Sequence, residues 1–408
     1  MAPSTLFSRG GPTRRWARAS RWLVPLVLAA GLAWLLGQRS RAGNAAQTLV
    51  IRRGGTYSGT FRSPDSQVPC ISIATTEPVT LTNCVLTGAG DLILANIPGA
   101  QLTVVNCRGY GLLPSRDQTR RGRFLEVNAG RSVRVEHNYF AQTSGISIYQ
   151  WSGDGTPAQT LTVRYNKARN LDGRFRDGGE EFCNFLGLNQ VLALGNLEVA
   201  WNEVVNEPNQ SLVADNINFF NSGGTLRSPA RIHDNYIQGA YPFPATAPDY
   251  TGSGITLDGD GRAALSVTAY VEAYANQVVS TGNAAMNIAA GHDNRFHDNR
   301  LVTCGLLPDG SALRSSHAAT AVWNAYKQPA NVFYNNQVAN NVIGFLHWGK
   351  AAQPNRQDLS PGYCASCTGT QHLPDPVTLS TERAEWMRWQ AKLTKHHLRV
   401  GPGPTPPR

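Results

Sequence analysis

Asp258 and Asp260 fall two residues apart in Gly254-Ile255-Thr256-Leu257-Asp258-Gly259-Asp260-Gly261. On an extended chain such neighbours share a side and stand about 6–7 Å apart. That leaves room for a water between a general acid and a general base, the arrangement that inverting hydrolysis of a glycosidic bond needs. The same pair, helped by backbone carbonyls, could instead chelate Ca²⁺, which takes oxygen ligands. It is no helix-loop-helix calcium loop, because Arg262 occupies the next ligand position. Asp-Gly-Asp-Gly also suits a plain turn, since both residue types favour turns. Catalytic roles for Asp258 and Asp260 are thus weighed against a turn, with Ca²⁺ as the cofactor the pair would admit.

The residues that could hold a ligand recur with the strands around that pair. Short alternating segments run Ile146-Ser147-Ile148-Tyr149-Gln150-Trp151, Leu186-Gly187-Leu188-Asn189-Gln190 and Ile217-Asn218-Phe219-Phe220-Asn221. Ile255 to Asp260, Met286-Asn287-Ile288 and Val322-Trp323-Asn324-Ala325-Tyr326-Lys327 continue the set. Alternation at period two puts the apolar residues on one side. Ser147, Asn218, Thr256, Asn287 and Trp323 then share the other, with Tyr149, Asn189, Phe220 and Asp258 beyond them. Aromatic faces stack on the C–H groups of sugar rings, and amides and carboxylates bond paired hydroxyls, so Tyr149, Asn218, Phe220, Asn287 and Trp323 are expected to contact a glycan. A solvated sheet face with scattered aromatics would look the same. The insertion holding Asp172, Arg174, Arg176, Asp177, Glu180 and Glu181 adds Arg176 as a cation for an acidic sugar, or is simply a charged surface loop. The Tyr241-Pro242-Phe243-Pro244 to Pro248-Asp249-Tyr250 insertion is expected to wall the groove before Asp258.

A second, more regular repeat must position these segments. Apolar residues sit five and three places before a small polar residue, with another two places after it. Copies include Val79-Thr80-Leu81-Thr82-Asn83-Cys84, Val133-Arg134-Val135-Glu136-His137-Asn138, Leu161-Thr162-Val163-Arg164-Tyr165-Asn166 and Leu197-Glu198-Val199-Ala200-Trp201-Asn202. Anchored on Cys84, Cys107, Asn138, Asn166, Asn202, Asn235, Asn276, Asn299 and Asn336, the spacings are 23, 31, 28, 36, 33, 41, 23 and 37. A floor of 23 with variable excess excludes helical arrays of near-constant period. It fits coils of three short strands with insertions confined to loops. One coil cannot bury its own apolar face, so coils stack about 4.8 Å apart. Asn at the corner is expected to take the left-handed backbone and to form an amide ladder from coil to coil.

This pattern resembles the right-handed parallel β-helix of the pectate lyase-like superfamily over about residues 48–350, and Gly54-Gly55-Thr56-Tyr57-Ser58-Gly59-Thr60 looks like the entry coil found there. The resemblance implies an all-β, single-domain rod and a polysaccharide as partner, with lyase or glycoside hydrolase activity as the enzymatic options. The superfamily also hosts adhesins and proteins with no activity. The chain lacks Asn-Thr-Asp, Asp-Asp, Gly-His-Gly and Arg-Ile-Lys, and it lacks the Trp-Ile-Asp-His and Asp-Pro-His-Asp segments of lyases and epimerases. No catalytic role is therefore carried over to any residue.

Charge narrows the partners. Residues 1–45 carry seven Arg and no acid, and 381–408 carry six basic residues against Glu382 and Glu385, which leaves 24 basic and 25 acidic residues in 46–380. A near-neutral body lacks the basic stripe that nucleic acid requires. Arg9, Arg14, Arg15, Arg18 and Arg21 precede an uncharged stretch from Trp22 to Gln38, whose apolar segment is 22–37 with Trp22 to Leu36 as its apolar part, and Ala42-Gly43-Asn44-Ala45 follows. These are the parts of a secretory signal or of an uncleaved signal anchor, and about 15 apolar residues is short for a spanning helix. Either way the chain is expected outside the cytoplasm, touching a membrane only through this segment, and as a monomer.

Seven cysteines leave at least one unpaired. Cys84 and Cys107 are expected to stack on adjacent coils, bridged or reduced. Cys364 and Cys367 form the disulfide candidate, in a 351–376 stretch that reads as linker. Trp386, Trp389 and Leu393 recur at helical spacing within 380–398, so a C-terminal helix is expected to cover the open end of the stack, with a disordered tail from Gly401. The composite expectation is an exported β-helix that binds, and as an enzyme would cleave, an extracellular polysaccharide. The alternative is a non-catalytic surface scaffold or adhesin.

Overall fold

A computed structural model describes residues 46–249, 252–314, 317–348 and 355–404. The expected export or anchor segment, 1–45, lies outside the described residues. The alternating pattern produces short strands that wind into coils, and each strand pairs in parallel with its equivalent one coil on. Three stacked parallel sheets result, of ten, eleven and eleven strands. In the second sheet one inward row runs Leu81, Val104, Val135, Val163, Val199, Ile232, Ala273, Phe296 and Val338. All nine are buried. Each copy is apolar because its neighbours above and below must be, so the row is one continuous core. Among the described residues no helix is long and apolar enough to cross a membrane.

The corner between the second and third sheets is tied by asparagine. Asn138, Asn166, Asn202, Asn235, Asn276 and Asn299 are fully or almost fully buried. Each side-chain amide donates to the amide oxygen of the next, at 2.9–3.0 Å, from Asn138 through to Asn341. The same oxygens accept backbone N–H groups from the preceding coil, as Asn202 Oδ1 does from Asn166 at 3.0 Å. The last member corrects the sequence reading. Asn299 pairs with Asn341, whereas Asn336 donates to the Gly291 carbonyl and accepts from Asn294 N–H, in a separate short ladder. The left-handed residue is also not the anchor but the one before it: His137, Tyr165, Trp201 and Ala275 all have φ between 54° and 59°. What selects Asn at the anchor is its pair of buried hydrogen-bonding groups.

The C-terminal part departs from expectation in two ways. Cys367–Thr368 and Gln371–His372 extend the second and third sheets, so the stretch read as linker supplies the last rung. The helix Leu379–Lys395 does not cover the end of the stack; it lies along the flank of the third sheet, against Gln277–Thr281 and Arg300–Thr303. Trp389 is fully buried there, stacks on Tyr236 and donates to Glu203 at 3.1 Å. Glu385, also buried, receives Arg300 at 2.7 and 2.8 Å and Gln277 at 2.9 Å. The following residues continue back along the rod: Gly401 N–H donates to Tyr165 O, and Arg108 donates to Gly403 O. Gly401 and Gly403 are thus tied down, and 405–408 of the expected disordered tail lie outside the described residues. Cys364 and Cys367 are joined by a disulfide with Cα atoms 4.9 Å apart, while Cys84 and Cys107 are free and buried, in thiol contact.

Candidate functional site

The first sheet is a flank on which the helix does not pack. Its strands Gly145–Trp151, Asn184–Asn189, Asp215–Phe220, Ser253–Asp258 and Met286–Ile288 stack in parallel, in register from Ile146 and Leu186 onward after a shift at Gly145. One outward row reads Glu126, Ser147, Gly187, Asn218, Thr256 and Asn287, and the next reads Asn128, Tyr149, Asn189, Phe220 and Asp258. Tyr149, Asn218, Phe220, Thr256, Asn287 and Asp258 therefore share the face on which the alternation places them. Trp323 does not: the strand ends at Val322, Ala321 sits beside Asn287, and Trp323 turns away beside Tyr363, with ring centres 6.0 Å apart.

A cleft of about 430 Å³ opens in this face. Gly187 lies in its floor between Ser147 and Asn218 with no side chain of its own; the Asn184 side chain packs over it, with Oδ1 3.0 Å from where a Cβ would stand. Asn184, Asn189 and Asn218 supply amides, Phe182, Phe220 and Tyr326 supply rings, and Glu181, Asp215 and Asp258 supply carboxyls. Phe182 is 84% exposed on the rim, delivered by the insertion that follows Lys167–Arg169. The base of that insertion is pinned by buried Asp172, which accepts from Arg174 at 2.8 Å and forms an ion pair with Arg121 at 3.0 Å.

The carboxyl that accompanies Asp258 on the cleft wall is Asp215, which the sequence reading passed over. Asp215 accepts from Thr256 Oγ1 at 2.7 Å and from Asn218 Nδ2 at 2.9 Å. Burial nonetheless pushes its pKa above the usual carboxylate range, and the charge of Asp258 adds to this. Asp258 is likewise raised by burial, against hydrogen bonds from Tyr326, Gly259 N–H and Asn218 that lower it. Asn218 thus touches both carboxyls. Asp260 stands past the strand end, exposed, with Oδ1 receiving Asn221 Nδ2 at 2.8 Å. Asp258 Oδ1 receives Gly259 N–H at 3.0 Å. N–H groups are directed at both oxygens, and among the described residues no three His, Cys, Asp or Glu side chains converge as metal ligands.

Tyr326 reaches Asp258 from a turn that closes on itself. Asn324 Nδ2 donates to Gln328 O and Gln328 N–H donates to Asn324 Oδ1, both at 2.8 Å. Buried Gln328 then donates through Nε2 to the carbonyls of Gly259 and Gly261, at 3.1 and 2.9 Å. The turn carrying Tyr326 is therefore clamped to the turn following Asp258, and Tyr326 meets Phe220 edge-on at 6.3 Å. Burial, with the charge of Asp258, holds the Tyr326 phenol well above its ordinary range.

Arg176 and the Pro-rich insertion lie elsewhere. Arg176 pairs with Asp117 at 2.5 Å and donates to Ser115 O. It lines a separate hollow of about 450 Å³ with Arg121, Arg174 and Phe243. Phe243 packs under the Arg174 guanidinium, 4.1 Å from ring centre to Cζ, so this insertion borders that hollow and not the Asp258 cleft.

No protein-family model matches the chain, and no curated protein matches its sequence. Among solved structures it is similar to a mannuronic acid specific polysaccharide family 6 lyase enzyme from human gut microbiota, at 13% identity and a TM-score of 0.39, over 88% of this chain and 91% of the other.

Proposed function

We propose that the protein binds an extended polysaccharide along the open face of the first sheet and cleaves it by acid–base chemistry at Asp215 and Asp258. The observation that carries this reading is the meeting, on one face, of two neighbouring carboxyls, both raised by burial, with rings and amides. A carboxyl that holds its proton more firmly than usual can donate it to a leaving oxygen, while its neighbour accepts one from water. Phe220, Tyr326 and Phe182 offer ring faces and edges to sugar C–H groups, and Asn189 and Asn218 offer hydroxyl partners.

Export, the role expected of Arg9 to Ala45, would bring this cleft to glycans of the cell surface or its surroundings. We propose it as part of the same reading; fractionation of the native host tests it, and cytoplasmic protein would contradict it. The activity is tested by incubating purified 46–408 with a panel of neutral and acidic polysaccharides and assaying reducing ends. The expected result is new ends from at least one polymer, abolished in Asp258→Asn and Asp215→Asn. A polymer retained but not cut would reduce the protein to a binding module. If no polymer is retained, the scaffold alternative stands.

A further inference from the structure

The charges around the cleft go further and bear on which glycan it takes; this rests on the polysaccharide reading above. Among the described residues lining the cleft, Arg123 is the single cation, and it faces three carboxyls, Glu181, Asp215 and Asp258. Arg123 is already committed. Its Nη1 lies 2.6 Å from Glu126 Oε2 and its Nη2 4.0 Å from Glu181 Oε1. The neighbouring Arg120 is committed too, to Asp91 at 2.7 Å, Glu126 at 3.0 Å and Glu181 at 3.6 Å.

A uronate is recognised by a guanidinium or ammonium free to pair with its carboxylate. Drawing Arg123 to such a ligand would strand Glu126 and Glu181 beside a third negative charge. At an effective dielectric near 20, two like charges about 5 Å apart cost roughly two orders of magnitude in affinity. Hydroxyls meet no such barrier. Carboxylates and amide oxygens accept from them, amide N–H groups donate to them, and Phe220 and Tyr326 contact the C–H edges of the ring.

We infer that the cleft takes an uncharged glycan, and that cleavage in it is hydrolysis and not β-elimination. A neutral pyranose has no carboxyl at C5 to acidify the C5–H bond, so elimination lacks its activating group. In hydrolysis, one of the two carboxyls gives its proton to the bridging oxygen as the bond from that oxygen to the anomeric carbon breaks. Water adds to the anomeric carbon, and its proton passes to the other carboxylate. Each turnover consumes one water, leaves the carboxyl pair with its single proton and releases one new reducing end.

Matched polymers isolate the charge: polygalacturonate against its carboxyl-reduced galactan, polymannuronate against mannan, and glucuronan against a soluble glucan. Affinity electrophoresis of 46–408 with each pair, in chelator and again in millimolar Ca²⁺, is expected to show at least one neutral member held about tenfold or more tightly than its uronate partner in both buffers. Hydrolysis of that polymer should yield reducing ends with no ultraviolet absorbance from an unsaturated uronate. The doubly neutralised Asp215→Asn/Asp258→Asn protein should lose turnover and narrow the preference, with circular dichroism confirming its fold. Gly187→Leu, which fills the floor and leaves the charges alone, should weaken both members alike. A uronate bound as tightly as its neutral partner, in either buffer, overturns the inference while leaving the polysaccharide reading intact. A neutral polymer bound but not cut removes the hydrolytic step. If no member of any pair binds, the polysaccharide reading fails and this inference with it.

Discussion

The outward faces of the first and third sheets are built by the same rule, alternate residues of stacked parallel strands, and end in opposite states. On the third sheet the chain's own C-terminal segment meets the outward groups: Trp389 takes Glu203, Glu385 takes Arg300 and Gln277, and at the corner beside them Lys392 takes Asp234 at 2.6 Å. Glu203 additionally holds Lys167 at 2.8 Å and Arg169 at 3.1 Å. On the first sheet the Tyr326 turn reaches Phe220 and Asp258 and the insertion carrying Phe182 borders them, and among the described residues the row between opens as a cleft. The contrast separates stability from function within one scaffold. A β-helix flank covered by its own chain spends its polar groups on holding that chain, whereas an open flank keeps them for a ligand.

Breaking the covered flank should give the largest change. Trp389→Ala removes a fully buried ring and its hydrogen bond, and is expected to cost about 3–5 kcal/mol in denaturant unfolding. Glycan retention should persist wherever the variant stays folded. Loss of retention in the folded variant would join the two flanks that the comparison separates.

The shared corner comes next. Asn202→Leu deprives Val163 O and Asn235 Oδ1 of a donor, both at 2.9 Å, and takes the acceptor from Asn166. Buried groups left unsatisfied make about 1–3 kcal/mol the expected cost. Unchanged melting for both Asn202→Leu and Asn235→Leu would show that the ladder is not a buried network.

On the open flank, Phe220→Ala should weaken glycan affinity by about three- to tenfold, the scale of one aromatic contact, with little change in melting. A large loss of stability with unaltered affinity would make Phe220 a structural residue, and the flank like its covered counterpart.

A further effect concerns pH. Burial pushes Glu382, on the docked helix, from the ordinary 4.5 up to about 7, ahead of the lowering effect of Cys304 N–H. A carboxyl raised on folding contributes stability that is complete below about 4.5 and is lost as pH rises through about 7. Wild type should therefore lose stability relative to Glu382→Gln across that window. Parallel pH profiles would place Glu382 in contact with solvent.

The repeat was legible because inward positions must be apolar in every coil, and the row from Leu81 to Val338 satisfies that condition without exception. The ladder's end was misread because Asn335-Asn336 and Asn340-Asn341 offer two doublets near the expected spacing, and only the coil geometry chooses the second. Asp215 escaped notice for a local reason. Asn216 is buried, bonding Asn206 and the carbonyls of Gly239 and Ser253. That interrupts the alternation just before Ile217 and leaves Asp215 on the cleft side. Tyr326 escaped because 322–327 reads as one strand, whereas Asn324 and Gln328 close a turn after Val322. In both cases a side-chain amide overrides the backbone pattern, and a period-two reading has no means to register it. The helix was legible from Trp386, Trp389 and Leu393, but its docking place was not, since either flank or end would bury the same stripe.

Hydroxyl-radical footprinting tests most directly whether the open flank is the binding face. Purified 46–408 would be oxidised alone and with each polymer of the matched pairs, and modification read at Tyr149, Phe182, Phe220 and Tyr326 on the first sheet and at Trp386 and Met387 on the helix. The account predicts that a retained polymer protects Phe182, Phe220 and Tyr326 and leaves the helix residues unchanged. Protection confined to the helix or to the hollow at Phe243, or none with any polymer, would contradict it.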